Sequence, residues 1–323
     1  MRSDSLAMGQ ATDNPRARRL RRDRNRGRPR LFIIGGLLMV AVVWAALARS
    51  WGVASITFPH IHGLAFTPDG EQLIVPAHDG FRIYSEMGWQ DAQDLPRRDY
   101  MGYSPVDFGF YSSGHPAPGG QELNPLGLVH SADLGESMTQ LGLVGESDFH
   151  LMAVGYYSHA IYVVNPAPNS RMAAGVHYSL DNGSTWNPTA MNGIETQLYQ
   201  LAVHPTEPNI VAASTQGGLY VSTDFGGSFA LISEPLPVTA AVFSPAENVL
   251  LYGTVDLQGY DLATEETTSL NAPDLDSGDA IVYLAISPVD ASHIAAATGA
   301  NDIFYSTDGG ATWLQIANNG IGK

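Results

Sequence analysis

A short motif, Ser-x-Asp-x-Gly-x-x closed by an aromatic residue or Met, returns four times along this chain. The copies are SADLGESM (131–138), SLDNGSTW (179–186), STDFGGSF (222–229) and STDGGATW (306–313). Their acids, Asp133, Asp181, Asp224 and Asp308, stand 48, 43 and 84 residues apart. The last gap is twice 42, so a unit lacking the motif is expected between the third and fourth copies. A second recurring element precedes the motif: LAFTP (64–68), LAVHP (201–205), AVFSP (241–245) and LAISP (284–288). Repeats of this period constrain a fold more than any composition does, because each unit must bury its apolar face against its neighbours.

Within a unit the pattern reads as apolar strand, Pro-containing turn, apolar strand, loop, strand, Asp motif, short strand. Residues 199–232 show it best: LYQLAV, HPTEPN, IVAAST, QGG, LYVS, TDFGGS, FALIS. Period-2 alternation and β-branched or aromatic content mark the strands, and Pro, Gly, Asn and Asp mark the turns. Six units begin near residues 62, 99, 150, 199, 239 and 282. The fifth carries YDLATEETTS (260–269) at the motif position, and the first only a degenerate SEMGW (85–89). Four strands in each unit predict an all-β, six-bladed β-propeller whose Asp motifs sit in C–D turns.

The motif resembles the Asp box of the bacterial neuraminidase repeat, found in sialidases, sortilin-like receptors and photosystem assembly propellers. The likeness covers essentially the whole region after residue 58. The chain is most similar to small membrane-anchored bacterial propellers grouped with glycosyl hydrolases by this repeat alone. The resemblance implies the fold, and it leaves open an enzyme, a receptor or an assembly scaffold.

The N-terminus has a different character. Residues 1–30 hold ten Arg and three Asp, and Leu31–Ala48 is an uncharged run of 18 residues. At about 1.5 Å per residue such a run reaches roughly 27 Å, close to hydrocarbon thickness. The expected organisation is a basic cytoplasmic tail (1–30), a transmembrane signal anchor (31–48), a linker (49–57) and an extracytoplasmic propeller (58–323). Cleavage after Ala48 is the alternative, which would give a secreted propeller. The formal charge of −16 hides +7 on residues 1–30 and −23 on everything after them. That balance excludes nucleic-acid binding by the main domain. With no Cys, disulfides, thiol catalysis and iron–sulfur clusters are excluded too.

The Asp of each motif is expected to accept hydrogen bonds from turn N–H groups, with Gly supplying a positive φ. The closing aromatic is expected to pack between blades. One acid per turn is too few for calcium, which takes about six to eight oxygens. In an antiparallel meander the A–B and C–D turns share one face, and the B–C loops and D–A links share the other.

Five of the ten histidines fall on that second face. His60, His62 and His150 open A strands, while His78 and His115 close B strands in blades 1 and 2. Asp99 stands at the start of blade 2, followed by Met101. Imidazoles suit copper or zinc, and the Met101 thioether would favour copper. His60, His62, His78, His115, His150, Asp99 and Met101 are therefore the candidate metal ligands, with Asp148 as a further ligand or as a partner fixing a His tautomer. Two other readings stay open: water-facing polar residues around a channel, and a sugar or peptide pocket stacking on Tyr100, Tyr103, Tyr156 and Tyr157. The remaining five histidines are expected in turns and C strands away from this site.

Sialidase chemistry, as the resemblance describes it, needs three arginines on the substrate carboxylate. Here the region after the anchor offers Arg82, Arg97, Arg98 and Arg171, with Arg49 at the membrane. A hydrolase of neutral glycans using Asp99, Asp148 or Glu146 is the enzymatic alternative. The expected role is a binding or scaffold protein, anchored through its own helix, whose partner is an envelope protein or glycan.

Overall fold

The computed structural model describes residues 56–323. Every apolar unit in that span becomes a four-stranded antiparallel meander, because strands this short bury their faces only by stacking sheet on sheet. Blade 1 is β1 (Ala65–Phe66), β2 (Leu73–Ala77), β3 (Gly80–Ser85) and β4 (Gly88–Asp91); blade 2 is β5 (Asp99–Val106), β6 (Gly109–His115), β7 (Leu128–Ser131) and β8 (Thr139–Gly142). Blade 3 comprises β9 (Met152–Val154), β10 (Ile161–Asn165), β11 (Gly175–Ser179) and β12 (Asn187–Pro188). Blade 4 comprises β13 (Leu198–Val203), β14 (Val211–Thr215), β15 (Gly218–Ser222) and β16 (Ala230–Leu231). Blade 5 runs β17 (Ala240–Phe243), β18 (Val249–Gly253), β19 (Leu257–Asp261) and β20 (Thr267–Leu270). Blade 6 has β21 (Ile281–Ile286), β22 (Ile294–Thr298), β23 (Ile303–Ser306) and β24 (Leu314–Asn318), plus a fifth strand, β25 (Ile321–Gly322). In each sheet the order in space follows the order in sequence.

The innermost strands of all six blades line one central cavity of about 340 Å³. Blade 6 meets blade 1 where residues 56–58 pair with residues 320–322. The Phe58 N–H donates to Gly320 O at 2.8 Å, and Gly322 N–H to Ile56 O at 2.9 Å. The Trp89 indole N–H reaches across from β4 to Ile316 O of β24 at 2.6 Å. Among the described residues no helix is long and apolar enough to cross a membrane. The apolar run 31–48, the basic tail and most of the linker lie outside them.

The four Asp boxes occupy C–D turns and share one hydrogen-bond scheme. In the box of blade 4, Asp224 Oδ1 accepts from the Ser228 N–H at 2.9 Å and Oδ2 from its hydroxyl at 2.7 Å. The buried Ser222 hydroxyl donates to Asp224 Oδ1 at 2.7 Å and accepts from the Gly226 N–H at 2.9 Å. These bonds hold the Asp224 carboxyl at about 2, below its ordinary value of 3.8. Gly226 has φ +78°, and the residue before it, Phe225, also takes a left-handed φ of 61°. The closing residues pack inter-blade layers as expected. Met138 sits with Ile74 and Phe81 of blade 1, Phe229 with Ala153 and Tyr162 of blade 3, and Trp313 with Leu251 and Leu257 of blade 5. In the degenerate fifth unit, Asp261 Oδ1 still accepts from the Ala263 and Thr264 N–H groups at 2.8 and 2.9 Å.

Candidate metal centre

The site grows from two places in the blade: where strand A starts and where strand B ends. Both lie on the face opposite the Asp boxes. His62 precedes β1, and its backbone N–H donates to Pro76 O of β2 at 2.9 Å. That bond keeps the start of blade 1 beside the end of β2, which delivers His78. His60, two residues earlier, projects to the same side. The ring centroids of His60, His62 and His78 are 4.5–5.2 Å apart. One ligand nitrogen of each ring lies within 4.8 Å of the others, a group able to hold a metal ion.

Asp99, the first residue of β5, completes the group from blade 2. Its Oδ2 is 2.8 Å from His78 Nδ1, and its Oδ1 is 3.3 Å from His62 Nε2. His62 Nε2 is in turn 3.2 Å from His78 Nδ1. Asp99 Oδ1 is buried and receives no well-directed hydrogen bond. The His62 side chain is 9% exposed. Burial lowers its pKa to about 4; Asp99 opposes that shift, and His78, His60 and His150 add to it. Its imidazole is thus neutral around pH 7, with a lone pair to give.

A second group sits one blade further round. His115 closes β6, and Asp148 and His150 lie just before β9. Asp148 Oδ2 is 2.8 Å from His150 Nε2 and 3.3 Å from His115 Nε2. Asp99 and His115 are directly paired residues on β5 and β6, so the two groups are neighbours. Met101 is buried in β5 opposite Ser113, and the histidine contacts above do not include it.

Of the four tyrosines expected to offer a stacking surface, Tyr100 is withdrawn into the core. Tyr100 is fully buried, its ring stacked on Phe81 at 4.2 Å; strand alternation turns it away from Asp99 and into the layer between blades 1 and 2. Tyr103 and Tyr156 both line the central cavity, while Tyr157, in the A–B turn of blade 3, is exposed. Three arginines are engaged by carboxylates, Arg98 with Glu122 at 2.7 Å and Arg82 and Arg97 with Asp79 and Asp91 at 2.8–3.4 Å, and Arg171 donates to Gly183 O at 2.6 Å. Glu146 accepts from the Ser170 N–H at 2.7 Å and hydroxyl at 3.0 Å, which pulls its carboxyl below the ordinary value. A residue that sequence reasoning passed over is Asn124, whose Oδ1 is 2.6 Å from His115 Nδ1. It stands in the B–C insertion of blade 2, and nothing in the spacing of that loop marks it.

Fold and repeat together define a six-bladed Asp-box β-propeller with a His–Asp belt on one rim. A family model described as BNR/Asp-box repeat matches residues 304–313, the box of blade 6. No curated protein sequence matches this chain. Among solved structures, the GH74 enzyme of Niastella koreensis gives a TM-score of 0.54 at 17% identity, over 82% of this chain and 46% of that one. A GH74 xyloglucanase from Xanthomonas campestris gives 0.49 at 18% identity, with the same coverage of 82% and 46%. YCF48 bound to D1 peptide gives 0.45 at 16%, over 81% of this chain and 83% of that one. This chain therefore spans less than half the length of the two GH74 structures. The first likeness shows a shared propeller fold.

Proposed function

We propose that this chain is a membrane-anchored, extracytoplasmic binding protein whose propeller holds a divalent transition metal, zinc or copper, at His60, His62, His78 and Asp99. The observation that carries the reading is a pair of donor separations that meet at His62 Nε2. With bonds of about 2.0–2.1 Å at the tetrahedral angle, neighbouring ligand atoms stand about 3.3 Å apart. His62 Nε2 is 3.2 Å from His78 Nδ1 and 3.3 Å from Asp99 Oδ1, so the donors are spaced as they would be around one ion. The Asp99 Oδ1 left without a directed hydrogen bond gives the ion a charged ligand, and the −23 balance after residue 30 draws cations to the rim. His60 is the fourth donor.

The anchor and the outward orientation rest on the apolar run 31–48 and on the ten Arg before it, which the positive-inside rule keeps in the cytoplasm. An extracytoplasmic, anchored propeller suits metal capture or presentation to another envelope protein. A glycoside hydrolase would need one carboxyl raised toward neutrality as general acid. Glu146, lowered by Ser170, is unsuited to that role.

The test is direct. Full-length protein purified without an affinity His tag should carry zinc or copper, or take up an equivalent on titration. The double change His62→Ala with His78→Ala should abolish that binding and leave the circular dichroism spectrum unchanged. A wild type that neither carries nor binds either metal tightly would overturn the proposal.

A further inference from the structure

The belt contains more donors than one ion can use. We infer that His115, His150 and Asp148 form a second transition-metal position, separate from the first and oriented by Asn124. The inference rests on the metal reading of the first group, and its test distinguishes the two.

Asn124 Oδ1 can only accept, and it lies 2.6 Å from His115 Nδ1. The Nδ1 of His115 therefore carries the ring proton, and a neutral ring has its lone pair on Nε2. That lone pair faces Asp148 Oδ2 at 3.3 Å, acceptor against acceptor. His150 can donate its own Nε2–H to the same oxygen, 2.8 Å away. Meanwhile Asp148 Oδ1 is buried with no hydrogen-bond partner. Both rings are thus aimed at one carboxylate oxygen, and the other is left bare. A divalent ion relieves this once the two exposed rings turn toward it: with the ring proton of each histidine on Nδ1, it takes both Nε2 lone pairs and the carboxylate together.

The propeller's own rotation supports the assignment. In the first group a histidine at the end of strand B, His78, meets an acid at the start of the next blade, Asp99, at 2.8 Å. One blade on, His115 at the end of strand B meets Asp148 ahead of β9 at 3.3 Å. A strand-B histidine thus meets an acid of the following blade twice, with Asp148 standing two residues ahead of His150, the position that aligns with Asp99 and His62. The third donor differs, coming from the preceding strand A in the first group and from the following one in the second. The side chains of His115 and His150 are 40% and 64% exposed, so they can turn about a carboxylate that stays in place. Two imidazoles and one carboxylate are a set used for zinc and, with open positions, for iron(II).

Metal-free full-length protein would be titrated with Zn²⁺ and, for its ligand-field absorption, Co²⁺. Wild type is expected to bind two ions. Asp148→Asn should remove one, His62→Ala with His78→Ala should remove the other, and the combined variant should bind none. Asn124→Ala gives an independent reading that leaves every ligand in place. By freeing the His115 ring it should weaken only the second ion, by about 10–100-fold. If wild type saturates at one ion, lost in the His62/His78 variant but kept in Asp148→Asn, the second position is wrong and the first stands. If the single ion is lost in Asp148→Asn and kept in the His62/His78 variant, the reading of the first group fails instead. A wild type that binds neither metal overturns both.

Discussion

The two halves of one rim solve the same structural problem with different side chains. In blades 4 to 6 the polar groups at the blade junctions close on the backbone. Thr239, at the start of blade 5, donates its hydroxyl to Ile281 O of the next blade at 2.6 Å. Thr215, at the end of β14, donates to Gly218 O at 2.9 Å. Gln200 of β13 accepts from the Ala241 N–H of blade 5 at 3.0 Å. Blades 1 to 3 place His78 and His115 at the ends of strand B, and Asp99 and Asp148 ahead of or at strand A. There the side chains face one another, and one oxygen of each acid goes without a hydrogen bond. On this rim the junctions of blades 4 to 6 carry no counterpart of the histidines; their one cross-blade histidine contact, His204 Nε2 to Asn248 Oδ1 at 3.0 Å, lies in the turns of the other face. A buried, under-bonded carboxylate costs stability, and Asp279 Oδ2 shows one in this half as well.

Replacing His62, His78, His115 and His150 together with threonine should abolish metal binding and leave a folded propeller; unfolding of this variant would show that the histidines are structural. Next in size is the effect of the metal itself. Zinc at a thousandfold excess over its Kd should stabilise wild type against thermal unfolding by about 4 kcal/mol, and leave the threonine variant unmoved. Calorimetry with and without zinc reads both.

The Asp-box face should behave in the opposite way. Ser306 is buried; its hydroxyl accepts from the Gly310 N–H at 2.9 Å and donates to Asp308 at 2.8 Å. Ser306→Ala leaves that N–H unpaired and should cost about 1–3 kcal/mol without changing metal affinity. Loss of metal affinity in the folded variant would contradict the separation of the two faces. The smallest effect expected is one of acid stability. Asp224 titrates at about 2 in the fold against 3.8 ordinarily. Its contribution is therefore complete above the higher value and disappears as pH falls toward the lower one. Asp224→Asn should unfold more easily than wild type near neutrality, and the gap should narrow between about pH 4 and pH 2. Urea titrations across that range would show a constant gap if the carboxylate has no such role.

How much of this was legible in the sequence depends on how local the cause is. The Asp box is a seven- or eight-residue device, and its Asp, Gly and closing aromatic declare themselves in the string. The Ser that anchors the turn from beneath was visible in all four copies, but its role needs the depth of the pocket it fills. Leu134 and Phe225 were unreadable as left-handed residues, because bulky side chains disfavour that conformation and only the surrounding bonds impose it. The pairing of Ile56–Phe58 with the end of the chain depends on the ring closing. At the rim, alignment of the repeats was enough to bring His60, His62, His78 and Asp99 together on one face. Tyr100 was misjudged because the stretch Asp99-Tyr100-Met101 reads as uniformly accessible, whereas alternation along β5 sends the ring into the core. Asn124 lies in a blade-specific insertion, where no repeat offers an equivalent position to compare.

The central claim is that imidazoles of this rim bind a transition metal, and X-ray absorption at the zinc edge tests it most directly. On full-length protein loaded with zinc, nitrogen and oxygen neighbours should appear at about 2.0–2.1 Å, with the more distant scattering characteristic of imidazole rings. That outer signal should diminish in His62→Ala with His78→Ala. A spectrum of oxygen neighbours alone, without imidazole scattering, would mean that the acidic surface merely collects cations, and would contradict the account.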